Sequence, residues 1–314
     1  MGPQAHSARF DILIRFLEAF LEVRAHGATL PTVISLKAKA GSADVTDVTD
    51  LTTAAAESVG ITPFSHPGLD GSATLAFQPA VDLSTGRLLG FEALLRWHDL
   101  DGNNVSPDLL IPRAEATGHM NGLNQWVLSE ACTQAARWPS DLQLAVNCSI
   151  FQLRHGTAAI AAASALEESG LNPDRLTVEV TEISVHDPNA AADMQAMSTL
   201  GIQLTVDDVG LDWSVLENLR DCVVNTVKID AALVAGLTAP GGTRGIVETI
   251  AGRSRALGMC TVAEAVETGG QVRILREIGI DTAQGYFFSP PVTATEASRL
   301  AAMNPAPSFA LSGP

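Results

Sequence analysis

The sequence predicts an α/β fold, a TIM-like (β/α)8 barrel with an antiparallel strand at its start and a short N-terminal helical extension. Three observations point to it. From Leu75 onward strand-like and helix-like patterns alternate almost without exception, as repeated βα units do. A chain of 314 residues is about two domains' worth, most of which a single α/β barrel of ~250 residues would absorb. Polar residues gather at or just beyond the C-terminal ends of the strand-like segments, where a barrel builds its sites. An open doubly wound sheet is the structural alternative.

Phe10, Leu13, Ile14, Leu17, Phe20 and Leu21 recur at helical spacing, with Asp11, Arg15, Glu18 and Glu22 on another face, which predicts an amphipathic helix from Phe10 to Val23. A second helix is expected from Leu51 to Val59, after several candidate caps between Asp44 and Asp50. Gly60 to Gly71, with Pro63, Pro67 and Gly68, reads as a linker. Residues 1–70 are thus expected to form a helical extension and linker, 71–305 the barrel domain and 306–314 a tail. Leu75 to Val81 and Leu88 to Leu95 flank a hairpin turn at Ser84-Thr85-Gly86. Helices are expected at Pro107 to Thr117 and Leu123 to Arg137, then a strand at Leu142 to Asn147 and a helix at Ala158 to Glu168. Strands at Leu176 to Val180, Gln203 to Val206 and Val224 to Ile229 follow, separated by helices at Ala190 to Leu200 and near Val215 to Leu219. A helix at Thr243 to Leu257, a strand at Cys260 to Ala263, a helix at Gly270 to Ile278 and a short strand near Thr282 finish the series.

Charge narrows the partners. With 19 basic and 35 acidic residues the formal charge is -16, so direct binding of DNA, RNA or anionic lipid is not expected. A phosphate-rich ligand would need cations supplied locally. Cys132, Cys148, Cys222 and Cys260 lack CxxC spacing, which predicts buried thiols in a reducing compartment and neither a zinc site nor a disulfide framework. The charges within Phe10 to Val23 argue against a membrane span or signal peptide there, and the expected location is the cytoplasm.

Glu92 lies inside the second hairpin strand, while Asn147, Glu179, Asp207 with Asp208, Lys228 with Asp230, Glu264 and Gln284 end the later ones. In a barrel these ends converge on one face. Glu92, Glu179, Asp207, Asp208, Asp230, Glu264 and the nearby Glu267 meet only Lys228 and Arg96 as obvious cations, and so many like charges require something positive among them. All the donors are oxygens, with no histidine or cysteine, which predicts Mg2+ or Mn2+ and not zinc. The adjacent Asp207 and Asp208 could share two ions between them, as two-metal phosphodiester hydrolysis requires. Each residue alone has an ordinary alternative: the aspartates could cap a helix, Lys228 and Asp230 could pair at a surface, and Asn147 could satisfy a turn.

Glu92-Ala93-Leu94-Leu95-Arg96 resembles the signature of EAL-domain phosphodiesterases, enzymes that open cyclic di-GMP to linear pGpG in bacterial second-messenger signalling. The similarity runs from about Phe77 to Pro291. It includes Phe77-Gln78-Pro79, Ile111-Pro112-Arg113-Ala114-Glu115, Val146-Asn147-Cys148-Ser149, Glu179-Val180-Thr181-Glu182 and Val206-Asp207-Asp208. Val227-Lys228-Ile229-Asp230, Ala263-Glu264-Ala265-Val266-Glu267-Thr268 and Gln284-Gly285-Tyr286 continue it in the family's order. The resemblance implies metal ligation by Glu92, Asn147, Glu179, Asp207 and Asp208, with Asp230 nearby, and two ions in all. It implies that Arg96 holds a substrate phosphate, that Leu94 lines the same pocket, and that Lys228 orients or helps deprotonate the attacking water. Glu264 would assist as base or through a metal-bound water, and Asp208 would share in catalysis. Gln284 would contact the guanine or its ribose, Glu182 would steady the loop after the aspartates, and Glu267 would support the site from behind. A homodimer is implied as well.

Where the family usually reads Asp-Asp-Phe-Gly-Thr-Gly-Tyr-Ser-Ser-Leu, this chain has Asp207-Asp208-Val209-Gly210-Leu211-Asp212-Trp213-Ser214-Val215-Leu216. Ala265 replaces a usual Gly and Pro290 a usual basic residue. Two readings follow: a metal-dependent cyclic di-GMP phosphodiesterase, or an EAL domain of weak or no turnover that acts as a cyclic di-GMP receptor or protein-interaction module.

Overall fold

The computed structural model describes residues 64–66, 69–211, 215–219, 222–303 and 309–311. The helices expected at Phe10 to Val23 and Leu51 to Val59 lie outside these residues, as do Asp212, Trp213 and Ser214 of the altered loop.

Apolar residues at every second position build the first barrel strand. Along β2 (Leu69–Asp82), which pairs with the short β1 (Phe64–His66), Leu75, Phe77, Pro79 and Val81 are buried and the residues between them are half-buried. The Asp82 carboxylate then accepts hydrogen bonds from the backbone N–H groups of Ser84 and Thr85, which turns the chain into β3 (Leu88–His98). The two strands pair antiparallel from Ser72↔His98 to Val81↔Leu88. Strand β2 already begins at Leu69, which corrects the end of the expected linker. Gly71 is inside the strand because it packs on β3: a Cβ there would lie 2.2 Å from the His98 carbonyl oxygen.

From β3, with β4 (Asn104–Val105) on its outer side, the sheet continues in parallel through β5 (Gln143–Asn147), β6 (Leu176–Thr181), β7 (Gln203–Val209), β8 (Thr226–Ile229), β9 (Cys260–Ala263) and β10 (Thr282–Ala283). Strand β10 returns to β2 through Thr282↔Asp82 and Ala283↔Val81, antiparallel, and closes a barrel of eight strands. Closure excludes the doubly wound alternative, which leaves two free edges. The last strand, β11 (Val292–Thr293), adds to β2 outside this ring.

Around the barrel run α1 (Pro107–Ala116), α2 (Met120–Ala135), α3 (Ile150–Arg154), α4 (Ala158–Ser169), α5 (Glu182–Val185), α6 (Pro188–Thr199), α7 (Val215–Asn218), α8 (Ala231–Ala235), α9 (Arg244–Ala256), α10 (Gly269–Ile278) and α11 (Ala294–Ala301). Side-chain caps start several of them: Ser106 for α1, Ser149 for α3, Asp187 for α6, and for α10 a capping box between Thr268 and Gln271. Strand β5 pairs only with Gly90–Ala93 of β3, so the outer hairpin, near Ser72 and His98, overhangs the barrel. Helix α1 packs on this overhang in a small core of its own, formed by Leu69, Ala73, Trp97, Leu110, Ala114, Met120 and Leu123. Among the cysteines, Cys132 and Cys148 are buried, but Cys222 is half-buried and Cys260 exposed. This corrects the expectation of four buried thiols: strand alternation turns the first residue of β9 outward. Among the described residues no helix is long and apolar enough to cross a membrane.

Candidate active site

Parallel register sets Asn147 beside Glu179 and Thr181 beside Asp207, so the strand ends form one rim. Consecutive residues of a regular strand point to opposite faces, which would separate Asp207 from Asp208. The β7–β8 register slips between Val206 and Val209, and Asp208 takes a left-handed φ of 58°, a conformation aspartate tolerates better than most residues. The irregularity brings the neighbours together: Asp207, Asp208 and Glu264 offer carboxylate oxygens all within 4.8 Å of one another. Such an oxygen-only set fits a hard divalent cation.

Lys228, 1% exposed on β8, is the cation at the centre of this site. Its Nζ lies 2.6 Å from Glu264, 2.8 Å from Glu179, 3.2 Å from Asp207 and 3.4 Å from Glu92. Amides tie the remaining oxygens: Asn147 Nδ2 donates to Glu92 Oε1 at 2.7 Å, while Gln284 Nε2 donates to Glu92 Oε2 at 2.6 Å and to Glu264 Oε1 at 3.1 Å. Burial alone would release the Lys228 proton, but the carboxylates of Glu179, Glu92, Glu264 and Asp207 outweigh it and hold the ammonium well above its ordinary range. Burial likewise pushes Glu179 well up and Glu264 up to about 7, with Lys228 opposing in both. Glu92 stays below its ordinary value despite burial, because Lys228, Gln284 and Asn147 stabilise its charge. Asp208 is raised by burial and by Asp207. One ammonium among these carboxylates leaves negative charge over, which is the electrostatic case for a further cation.

Beside this network opens a cavity of about 430 Å3, lined by Gln78, Glu92, Leu94, Ala231, Glu264, Ala265, Glu267, Gln284, Gly285 and Tyr286. Two loops meet along it. Val266 N–H donates to the Gln284 carbonyl and Phe287 N–H to the Val266 carbonyl. Gly285, at φ 152°, is the only residue type that fits between them, since a Cβ would lie 2.2 Å from Val266 N. Ala265 occupies a left-handed φ of 47° without being glycine.

The structure thus gathers Glu92, Asn147, Glu179, Asp207, Lys228, Glu264 and Gln284 into one network, with Asp208 joined to it through the oxygens it offers beside Asp207 and Glu264. Other expected residues sit differently. Arg96 shares a face of β3 with Glu92 and Leu94 but lies further out, its guanidinium donating to the Leu95 carbonyl and outside the cavity lining. Asp230 caps α8 by accepting from Ala232 N–H, neither pairing with Lys228 at a surface nor joining the Asp207, Asp208 and Glu264 set. Glu267 is exposed on the cavity wall instead of standing behind the site. Glu182 opens α5, immediately after β6. Gln78 and Tyr286 had not been singled out as contact residues. Their signal was present, since Gln78 pairs directly with Glu92 across the hairpin and Tyr286 follows Gln284 by two residues.

A closed (β/α)8 barrel whose C-terminal rim presents an oxygen-only acidic set around a buried lysine defines a class of metal-binding barrel proteins. Residues 69–291 match the EAL domain, and the chain belongs to that family. It is 36% identical over 228 residues to the oxygen sensor protein DosP of Escherichia coli, covering 71% of this chain and 28% of DosP. It is 32% identical over 228 residues to the bifunctional diguanylate cyclase/cyclic di-GMP phosphodiesterase MucR of Pseudomonas aeruginosa, covering 71% of this chain and 33% of MucR. The solved PaMucR phosphodiesterase in complex with c-di-GMP superimposes with a TM-score of 0.68 at 32% identity, over 71% of this chain and 93% of that one. The chain spans about a third or less of the length of these curated relatives.

Proposed function

We propose that this protein is a divalent-metal-dependent phosphodiesterase that hydrolyses cyclic di-GMP to pGpG in the cytoplasm. The observation that carries the reading is the Asp207, Asp208 and Glu264 oxygen set, next to Lys228 and opening on a cavity, in a chain of the EAL domain family. Those three residues would hold one Mg2+ or Mn2+, and Glu92, Asn147 and Glu179 would complete the donors for a second. Bound there, the metal supplies Lewis acidity toward the phosphoryl group and makes a water more acidic. Lys228 fixes the carboxylates around it and orients the water. Gln284 holds Glu92 and Glu264 in place through its amide nitrogen. Leu94, Gln78 and Tyr286 receive the nucleotide in the cavity, and Arg96, further out on β3, meets a phosphate. Ile183 and Leu211, 67% and 74% exposed after β6 and β7, are apolar residues that a homodimer contact on this face would cover.

The test is product separation after incubation with cyclic di-GMP. Linear pGpG is expected with Mg2+ or Mn2+ and not with Ca2+, whose longer bonds and looser coordination misplace the water. Binding of cyclic di-GMP by calorimetry without product at saturating Mn2+ would replace hydrolysis with the receptor reading. The replaced loop, with Leu211 exposed where the family has threonine, is the observation in favour of that outcome.

A further inference from the structure

Helix α1 packs on the hairpin overhang, outside the regular strand–helix alternation, and none of its residues lines the cavity. Its last turn nevertheless reaches the site's rim. Glu115 Oε1 accepts a hydrogen bond from Ser149 Oγ at 2.7 Å. Ser149 is also the N-cap of α3, its Oγ accepting from Phe151 N–H at 3.2 Å. A hydroxyl has one proton to donate, so Ser149 donates its O–H to Glu115 while an Oγ lone pair accepts from α3, and the Ser149 side chain is fixed from both directions.

Two residues upstream stands Asn147. Pairing between β3 and β5 ends at Ala93↔Val146, one residue before it, and the backbone N–H of Cys148 bonds to the Glu179 carbonyl on the other side. Asn147 is exposed, with its amide nitrogen on Glu92 Oε1. Its amide oxygen is the atom that would face a cation. The direction of that oxygen depends on the turn formed by Cys148 and Ser149, and the turn is anchored on the β3 side by the bond to Glu115.

We infer that Glu115 is a positioning residue for the metal site, acting through Ser149 to hold Asn147. The inference rests on the proposed role of Asn147 as a cation ligand. The motif Ile111-Pro112-Arg113-Ala114-Glu115 then has a physical role: Ala114 anchors the helix in the small core and Glu115 extends from it to the turn after β5.

The test uses the full chain, stripped of metal, with Mn2+ binding followed by titration calorimetry and turnover measured separately. Glu115→Ala and Ser149→Ala should each weaken Mn2+ binding about tenfold, as loss of a bond that orients a ligand does. Both should lower kcat with little change in KM for cyclic di-GMP. Glu115→Gln keeps a carbonyl acceptor for the hydroxyl and should restore parental binding. The double variant should be no worse than either single one, and Glu115→Ala should add nothing in an Asn147→Ala background. If Glu115→Ala does not fold, Ser149→Ala and Glu115→Gln carry the comparison. Additive loss in the Asn147→Ala background, or parental binding in Ser149→Ala while Asn147→Ala is impaired, overturns the inference alone. Parental Mn2+ binding in Asn147→Ala removes the ligand role of Asn147 and the inference with it.

Discussion

Replacing Lys228 with methionine keeps the length and packing of the side chain and removes the ammonium at the centre of the network. Removing one partner of a buried ion pair costs about 3–5 kcal/mol, because the other charge stays desolvated. Here four carboxylates between 2.6 and 3.4 Å share one buried ammonium, which places the loss towards the upper end, about 4–5 kcal/mol. In a domain of this size each kcal/mol moves Tm by about 2–4 °C, so the metal-free variant should melt roughly 8–20 °C below the parent. A divalent cation draws on the same oxygens, and at about 100 times its Kd it returns ~2.7 kcal/mol. With no ammonium competing for them, the Mn2+-induced rise in Tm should be larger in Lys228→Met than in the parent, while hydrolysis stays absent. Thermal unfolding by circular dichroism, first in chelator and then with graded Mn2+, reads both quantities. An unchanged metal-free Tm would refute the claim that Lys228 neutralises these carboxylates. Equal Mn2+ shifts in the two proteins would refute the claim that it competes with the metal.

Two further predictions concern backbone strain and burial. Ala265 sits at φ 47°, where an L-residue costs roughly 1–2 kcal/mol, whereas glycine there adds ~0.4–1 kcal/mol of freedom to the unfolded chain. Ala265→Gly should therefore raise stability by about 0.5–1 kcal/mol, seen as a higher urea midpoint at unchanged slope; a lower midpoint would mean that this turn is not left-handed. Asp193 on α6 accepts from the N–H groups of Ala158 and Ala159 at the start of α4, and burial pushes its pKa up from 3.8 to about 7 against those two bonds. The folded protein then holds a proton that the unfolded chain releases, so this contribution is complete below about pH 4 and is lost as the pH rises to about 7. Three pKa units correspond to at most about 4 kcal/mol. Asp193→Asn cannot ionise and should flatten the fall in stability between about pH 4 and pH 7; urea midpoints that fall in parallel for both proteins would contradict the assignment.

Much of this was legible in the sequence for physical reasons that can be named. The run Cys260 to Ala263 is one strand in both sequence and structure, and the α9 helix was expected within a residue at each end, because its face periodicity extends over several turns. Helices α3, α5 and α8 are only four or five residues long, less than the repeat needed to show a face, and were not expected, whereas the equally short α7 was. The strand ends showed which residues approach the site, since carboxylates interrupting apolar runs need a shared reason. They did not show orientation. Gln284 turns its amide nitrogen on Glu92 and Glu264, and Asp208 reaches Asp207's side through an irregularity in β7 that no residue pattern marks. Barrel closure rests on two residues of β10, and the sequence offered little beyond the count of βα units to predict it.

The direction of β2 has a consequence for whatever polypeptide is joined ahead of the barrel. In an all-parallel barrel the first strand starts at the face opposite the reaction centre, so an upstream module attaches to the inert end. Here β2 runs against both of its neighbours, and its first residues pair with the last residues of β3, at the open mouth. Strand β1 folds back along β2 from His66↔Leu69 to Phe64↔Ala73, beside the hairpin that holds Gln78 opposite Glu92. The inverted strand brings the chain into this barrel at the rim that carries the acidic set, and not at its base.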